Sequence, residues 1–294
     1  MDLLDEDQRR KIVLYYPEAG AAWLERLPDL VAAYQTRWHL TLGPTYRPGG
    51  EASWTAPADL PDGTKAVLKI AVPGREAIDS ALALRGYEGR GVVRLLAYEA
   101  QDHVFLTERC EPGDLAANLP PTEADDAAVA VLPELWQASP LAIPDAPPLS
   151  RFAAARAQRV RDRGHRLGVP LFVTGADLLT DLAISGGSET LLHGDFHQRN
   201  LLRSERGWLA IDPQPMIGEP AYDLAIFLVN RINEETNPVS RAANLATRLG
   251  IAPDRVLRWL AAQTIQLSSW LRDSGEAGSI QAYETAAISL LRAL

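Results

Sequence analysis

The sequence predicts an α+β protein of two lobes: a small amino-terminal lobe of antiparallel sheet plus helix, and a larger, mainly helical carboxy-terminal lobe. Three observations predict it. The 294 residues exceed the usual size of one compact core. Strand-like runs concentrate between residues 40 and 110, whereas helical periodicity dominates beyond 122. Between these regions, CEPGDLAANLPP (110–121) is a polar, Gly/Pro-bearing joint. The expected division is an amino-terminal lobe over 1–109, a hinge or linker over 110–121 and a helical lobe over 122–294.

Along the chain, residues 3–38 carry apolar positions at helical spacing, among them Ile12, Trp23, Leu27, Leu30 and Tyr34, with Pro17 and Pro28 as punctuation. Two or three short helices are expected there. Residues 40–72 change to β character, with a glycine turn at Gly49 and Gly50 and a second turn at 61–64. Residues 75–88 return to helical spacing through Ile78, Leu82 and Leu84, and the strand-like runs VVRLLAYEA and HVFLTER follow. This order gives a five-stranded antiparallel sheet interrupted by one helix. Beyond the joint, 122–138 and 150–183 read as helices, 190–215 as a short β region, and the chain from 221 onward as helical again.

Composition narrows the function classes. Acidic residues outnumber basic ones 38 to 29, so the surface repels phosphate backbones and anionic lipid and favours a cationic partner. No nucleic-acid or membrane partner is expected. No apolar run approaches the ~18 residues that cross a bilayer, and MDLLDEDQRR lacks the pattern of a secretory signal. With one cysteine, Cys110, no internal disulfide forms, and a cytoplasmic monomer is the simplest expectation. Only Lys11, Lys65 and Lys69 are lysines, which makes each worth scrutiny.

The stretch 191–224 carries most chemistry. Asp195 precedes Asn200 by five positions, and Asp212 follows the apolar run WLAI. Short side chains at strand ends have fixed reach. One carboxylate can then meet an incoming hydroxyl while Asn200 and Asp212 offer hard oxygens to Mg²⁺, an arrangement suited to phosphoryl transfer. Far upstream, strand alternation puts Lys69 of AVLKI on the face of Val67, and an inward ammonium needs an anion such as a phosphate oxygen. The turn around Gly49, Gly50 and Ser53 offers small residues whose amides can approach phosphates. It is not a Walker A loop, because no glycine–lysine–Ser/Thr run occurs.

Together, Lys69 in AVLKI, LTERCEPG (106–113), HGDFHQRN (193–200), IDP (211–213) and GEPAYDLA (218–225) resemble the aminoglycoside phosphotransferase family, a branch of the protein-kinase-like fold. The likeness spans about 40–230 and is greatest to the streptomycin 6-phosphotransferase and hydroxyurea phosphotransferase group. The resemblance implies ATP or GTP as co-substrate, Mg²⁺, and a cationic acceptor such as an aminoglycoside. It implies Asp195 as the catalytic aspartate, Asn200 and Asp212 as magnesium ligands, and Lys69 on the α- and β-phosphates. The main chain of Glu108 and Cys110 would meet adenine, and His193 and Asp223 would brace the catalytic loop. Kinases of this kind pair the strand lysine with a helix glutamate. The corresponding position is Ser80, so Glu76, one turn earlier on that face, is the substitute candidate.

The acceptor side is less legible. Trp259, Gln263, Gln266, Trp270 and Asp273 share one stripe of a helix and are able to receive a cationic sugar, or else they simply pack. Asn230, Glu234 and Glu235 form a second candidate group. Three rival readings accompany the aminoglycoside kinase: a kinase of hydroxyurea, an amino sugar or a choline-like alcohol; a nucleotide-binding module without catalysis; and a zinc hydrolase using His193, Asp195 and His197.

Overall fold

The computed structural model describes residues 3–47, 49–50, 52–143, 145–187, 189–232, 237–274 and 280–294. Two helices open the chain, α1 (Glu6–Tyr15) and α2 (Ala19–Arg37). The Asp5 side chain caps α1 by accepting from the Gln8 N–H at 2.8 Å. Pro17 falls between the helices as expected, but Pro28 lies inside α2. An internal proline costs ~3 kcal/mol. Here Trp23, Leu27, Leu30 and Tyr34 flank it on one buried face, and burying four large side chains more than offsets that cost.

The sheet contains β1 (Thr41–Leu42), β2 (Ser53–Asp59), β3 (Lys65–Ala71), β4 (Leu95–Glu99) and β5 (Val104–Glu108), with α3 (Arg75–Tyr87) between β3 and β4. It is antiparallel throughout, in the order β1-β2-β3-β5-β4. Alternation along β3 buries Ala66, Leu68 and Ile70 against α2, and leaves Val67 and Lys69 on the opposite face. In α3 the buried apolar positions are Ala77, Ala81, Ala83, Leu84 and Tyr87, whereas Ile78 is exposed. The small side chains let this helix lie close to its neighbours: a Cβ on Gly86 would sit 2.8 Å from that of Ala142.

After the joint come α4 (Pro121–Leu135), α5 (Leu149–Leu167) and α6 (Pro170–Ile184). Two small two-stranded antiparallel sheets follow from β6 (Thr190–Leu192), β7 (Leu201–Ser204), β8 (Gly207–Ala210) and β9 (Met216–Gly218), paired β6 with β9 and β7 with β8. Then α7 (Ala221–Val229), α8 (Pro238–Leu249), α9 (Pro253–Ser274) and α10 (Ile280–Ala293) complete the helical part. Among the described residues, no helix is long and apolar enough to cross a membrane.

Two hydrophobic clusters form, and their border runs through the sheet rather than along the joint. One lies between α2 and the inner face of β2, β3 and β5. The other joins α3, Val92, Val93 and Phe105 to the helices of the carboxy-terminal part. Lys69 stands at that border, opposite Phe105 in the strand register, with its Nζ 5.8 Å from the ring centroid.

Candidate active site

The two small sheets of the carboxy-terminal part bring the motif residues together. The turn after β6 carries His193, Gly194 and Asp195, and the turn after β8 carries Asp212. The Ile211 N–H donates to the Asn200 carbonyl at 2.9 Å, and the Gln214 N–H to the His193 carbonyl at 2.8 Å, so the loops are tied to each other. Asn200 donates from Nδ2 to the Asp195 carbonyl at 3.0 Å and to Asp195 Oδ2 at 3.3 Å. Its Oδ1 is thereby turned away from Asp195. Gln214 Nε2 also donates to Asp195 Oδ2, at 3.3 Å.

Asp212 adopts φ of 55°, the left-handed region that a non-glycine residue enters at a cost of about 1 kcal/mol. In that conformation its Oδ1 meets Lys69 Nζ at 2.6 Å. The lysine side chain is 18 % exposed, so its ammonium is largely removed from water and held against this carboxylate.

Beneath these groups, Asp223 at the start of α7 is fully buried and accepts three hydrogen bonds. The His193 N–H donates at 3.0 Å, the Gly194 N–H at 2.8 Å and Trp136 Nε1 at 3.2 Å. Burial still dominates, and pushes the Asp223 carboxyl up to about 6 despite those donors. His193 Nε2 donates to the Ile211 carbonyl at 3.0 Å while Nδ1 faces the Asp195 N–H at 3.4 Å. Burial holds this imidazole neutral by pushing its pKa down to about 4. For Asp195, burial acts upward, but His197, His193 and Asn200 outweigh it and hold the carboxyl below its ordinary value. Asp195 is therefore ionised at neutral pH. Gly194 has φ of 77°, and a Cβ there would collide with the Gln214 carbonyl.

Several sequence expectations meet a different arrangement. Glu76 does not reach Lys69: its Oε2 accepts from Tyr16 Oη at 3.1 Å, while Lys69 pairs with Asp212. The small-residue requirement at Gly49 comes from α1, because a Cβ there would collide with the Gln8 side chain. Gln8 Nε2 donates to the Gly50 carbonyl at 3.2 Å, and Ser53 is buried beside that turn. Glu108 uses its carboxylate to grip Arg206, with Oε2 2.6 Å from Nη2, and its carboxyl lies below the ordinary value: the Arg206 and Arg94 contacts prevail over burial. Cys110 is buried, which pushes its thiol up to about 12 and leaves it unreactive.

On the acceptor side, the stripe of α9 is split. Trp259 is buried and donates to Glu219 Oε1 at 2.6 Å, and Gln263 is buried as well. Trp270 is 40 % exposed, and Asp273 is held by Arg163 at 3.0 Å and Arg166 at 2.6 Å, which keeps its carboxyl below the ordinary value. Two arginines satisfy that carboxylate within the fold. Asn230 caps α7 through the Ile226 carbonyl at 2.9 Å. Glu234 and Glu235 lie outside the described residues. A zinc triad is not assembled, since both ring nitrogens of His193 face backbone groups, and among the described residues no three His, Cys, Asp or Glu side chains gather to hold a metal.

The sequence expectations did not include Gln214, which contacts Asp195 and directly follows the IDP run.

A family model described as aminoglycoside/hydroxyurea antibiotic resistance kinase matches residues 37–275. The chain belongs to this kinase family. A streptomycin 6-kinase of Streptomyces glaucescens is 34 % identical to the kinase over 295 residues, covering 95 % of this chain and 92 % of that one. A hydroxyurea phosphotransferase of Kitasatospora aureofaciens is 32 % identical, covering 89 % and 78 %. Among solved structures, the kinase superposes on an aminoglycoside phosphotransferase in ternary complex with ADP and hygromycin B, with a TM-score of 0.60, 15 % identity and coverage of 89 % and 97 %. Choline kinase LicA of Streptococcus pneumoniae gives a TM-score of 0.63 at 12 % identity, covering 91 % and 99 %. These likenesses establish the protein-kinase-like fold. With its relatives, the kinase is a phosphotransferase acting on hydroxyl groups.

Proposed function

We propose that this kinase transfers the γ-phosphate of ATP or GTP to a hydroxyl of an aminoglycoside such as streptomycin, acting as a monomer in the cytoplasm. The observation that carries the reading is the contact of Lys69 Nζ with Asp212 Oδ1 at 2.6 Å, beside Asp195 and Asn200. One ammonium and three oxygen-bearing groups of short reach suit a triphosphate and its cation. The streptomycin 6-kinase relatives support the acceptor class.

Asn200 and Asp212 fit Mg²⁺: both present hard oxygens, and the remaining positions of an octahedral ion belong to water and phosphate. When bound, the ion neutralises charge on the transferring phosphoryl group. Asp195, ionised and oriented by Asn200 and Gln214, accepts the proton of the acceptor hydroxyl and points its oxygen at phosphorus. Lys69 holds the α- and β-phosphates once the nucleotide replaces part of its contact with Asp212. The backbone of Glu108 and Cys110 takes the adenine edge. His193 and Asp223 fix the loop on which Asp195 stands.

The test is mass spectrometry of streptomycin incubated with the enzyme, magnesium and either ATP or GTP. A gain of one phosphoryl group is expected. Hydroxyurea belongs in the same panel, because one relative is a hydroxyurea phosphotransferase. Product from hydroxyurea alone replaces the aminoglycoside assignment, and no product from either ends both.

A further inference from the structure

Phe196 and Gln198 fix the direction of the residue between them. The first is fully buried against the rings of His193 and Phe227, and the second, also buried, donates from Nε2 to the Phe227 carbonyl at 2.9 Å. His197 has extended backbone (φ -141°, ψ 168°), so its side chain points away from both neighbours. That side chain stays 19 % exposed, and its Nε2 comes within 3.6 Å of Asp195 Oδ2.

The side-chain contacts of Asp195 all fall on one oxygen. Asn200 Nδ2 and Gln214 Nε2 each lie 3.3 Å from Oδ2, which the imidazole also approaches, and no described residue donates to Oδ1. Hydrogen bonds of that length exceed the usual value of about 2.9–3.0 Å. A carboxylate turns easily about its last torsion, which is broad and two-fold, so two long contacts hold it loosely. A ring set against the same oxygen resists that turn. In the tautomer with hydrogen on Nε2 it also presents a donor without taking up a proton.

We propose that His197 is a positioning residue for phosphoryl transfer: its imidazole keeps Asp195 Oδ2 toward Asn200 and Gln214, so that Oδ1 is the oxygen that meets the acceptor hydroxyl. The inference rests on the kinase reading above and deepens it by naming the oxygen that takes the proton and the side chain that keeps it in place. The acceptor oxygen bonds to the γ-phosphorus as its proton passes to Oδ1, and the nucleoside diphosphate leaves with the electron pair of the broken P–O bond. His197 itself neither gains nor loses a proton. Substitution there spares the main backbone tie of the loop, because the Asn200 N–H donates to the His197 carbonyl at 2.9 Å whatever the side chain. Glutamine carries an N–H about as far from the backbone as the imidazole Nε2 does, and asparagine does not.

The test compares the wild type with His197→Ala, His197→Asn and His197→Gln by ADP release with streptomycin and with hydroxyurea, by titration with magnesium AMP-PNP and by thermal melts. The expected result is a kcat lower by about tenfold or more in His197→Ala and His197→Asn, with acceptor KM and nucleotide Kd within about threefold. His197→Gln should recover at least part of the loss. An unchanged kcat in all three variants overturns the proposal. So does a rise in acceptor KM or nucleotide Kd in place of the fall in kcat, or a glutamine variant no better than the asparagine one. If His197→Ala unfolds, the contrast of glutamine with asparagine decides alone. Failure of the kinase reading is a separate observation: no ADP release by the wild type with either acceptor ends that reading and this inference with it.

Discussion

Lys69 and Asp212 are 143 residues apart in sequence, and their side chains meet at 2.6 Å. The contact joins the strand face of the amino-terminal lobe to the turn that follows β8. Since Asp212 is 47 % exposed, water screens the pair and its worth to folding is small, under about 1 kcal/mol. Under the proposed function, its value lies in holding two groups where a nucleotide would need them.

This separation of roles is measurable. Lys69→Ala should raise the nucleotide Kd at least tenfold while moving the melting temperature by no more than ~4 °C. Asp212→Asn should weaken nucleotide binding in magnesium but much less in EDTA. Calorimetry with and without the ion, alongside thermal melts, checks both. Equal binding by Asp212→Asn and the wild type in magnesium contradicts the ligand assignment.

Asp195→Asn keeps the shape of the loop and removes the proposed proton acceptor. Turnover should fall by about 10³-fold or more, with nucleotide affinity little changed. ADP-release assays and a nucleotide titration of the same sample separate the two effects. Turnover at the wild-type rate removes Asp195 from its role.

Glu76 bonds to Tyr16 and not to Lys69. Glu76→Ala should therefore leave the nucleotide KM within about threefold of the wild type, far from the loss in Lys69→Ala. A KM that rises as much as in Lys69→Ala means that Glu76 reaches the lysine in the working enzyme.

The buried imidazole of His193 makes stability pH-dependent in a defined direction. Its folded pKa, about 4, lies below the ordinary 6.5, so the unfolded chain takes up a proton first as pH falls. The stabilisation from the neutral ring is whole above about 6.5 and is lost on descending to about 4, a change of ~3 kcal/mol. Asp223, raised to about 6, works the other way: its contribution is whole below about 3.8 and fades as pH rises through 6. Comparing wild type with His193→Asn by urea unfolding isolates the histidine. The wild-type advantage should shrink between pH 7 and pH 4, and a constant difference rules the account out.

The parts of the site legible in sequence were those set by short side chains beside regular strands. Asp195, Asn200 and Asp212 sit on tight turns, so spacing along the chain constrains their separation in space. Lys69 was legible through strand alternation, which fixes the face of every second residue. Helical contacts were harder. Asp273 was a binding candidate until Arg163 and Arg166, more than 100 residues away, proved to hold it. Pro28 was expected to break a helix that tertiary burial keeps intact. Gln8, Tyr16 and Arg156 meet partners on distant elements, and their local sequence announces none of those contacts.

The border between the two hydrophobic clusters bears on how the two parts of the chain are held together. Because α3 and Phe105 share their packing with the helices beyond the joint, a swing about residue 110 would tear that packing apart. Arg206 strengthens the anchorage by gripping Glu108 together with the carbonyls of Gly89 and Val92. Ala71 and Lys69 add β3 to the same anchorage, the first through the carboxy-terminal core and the second through Asp212, so the sheet and the helical part are bound along a seam and not at a single joint.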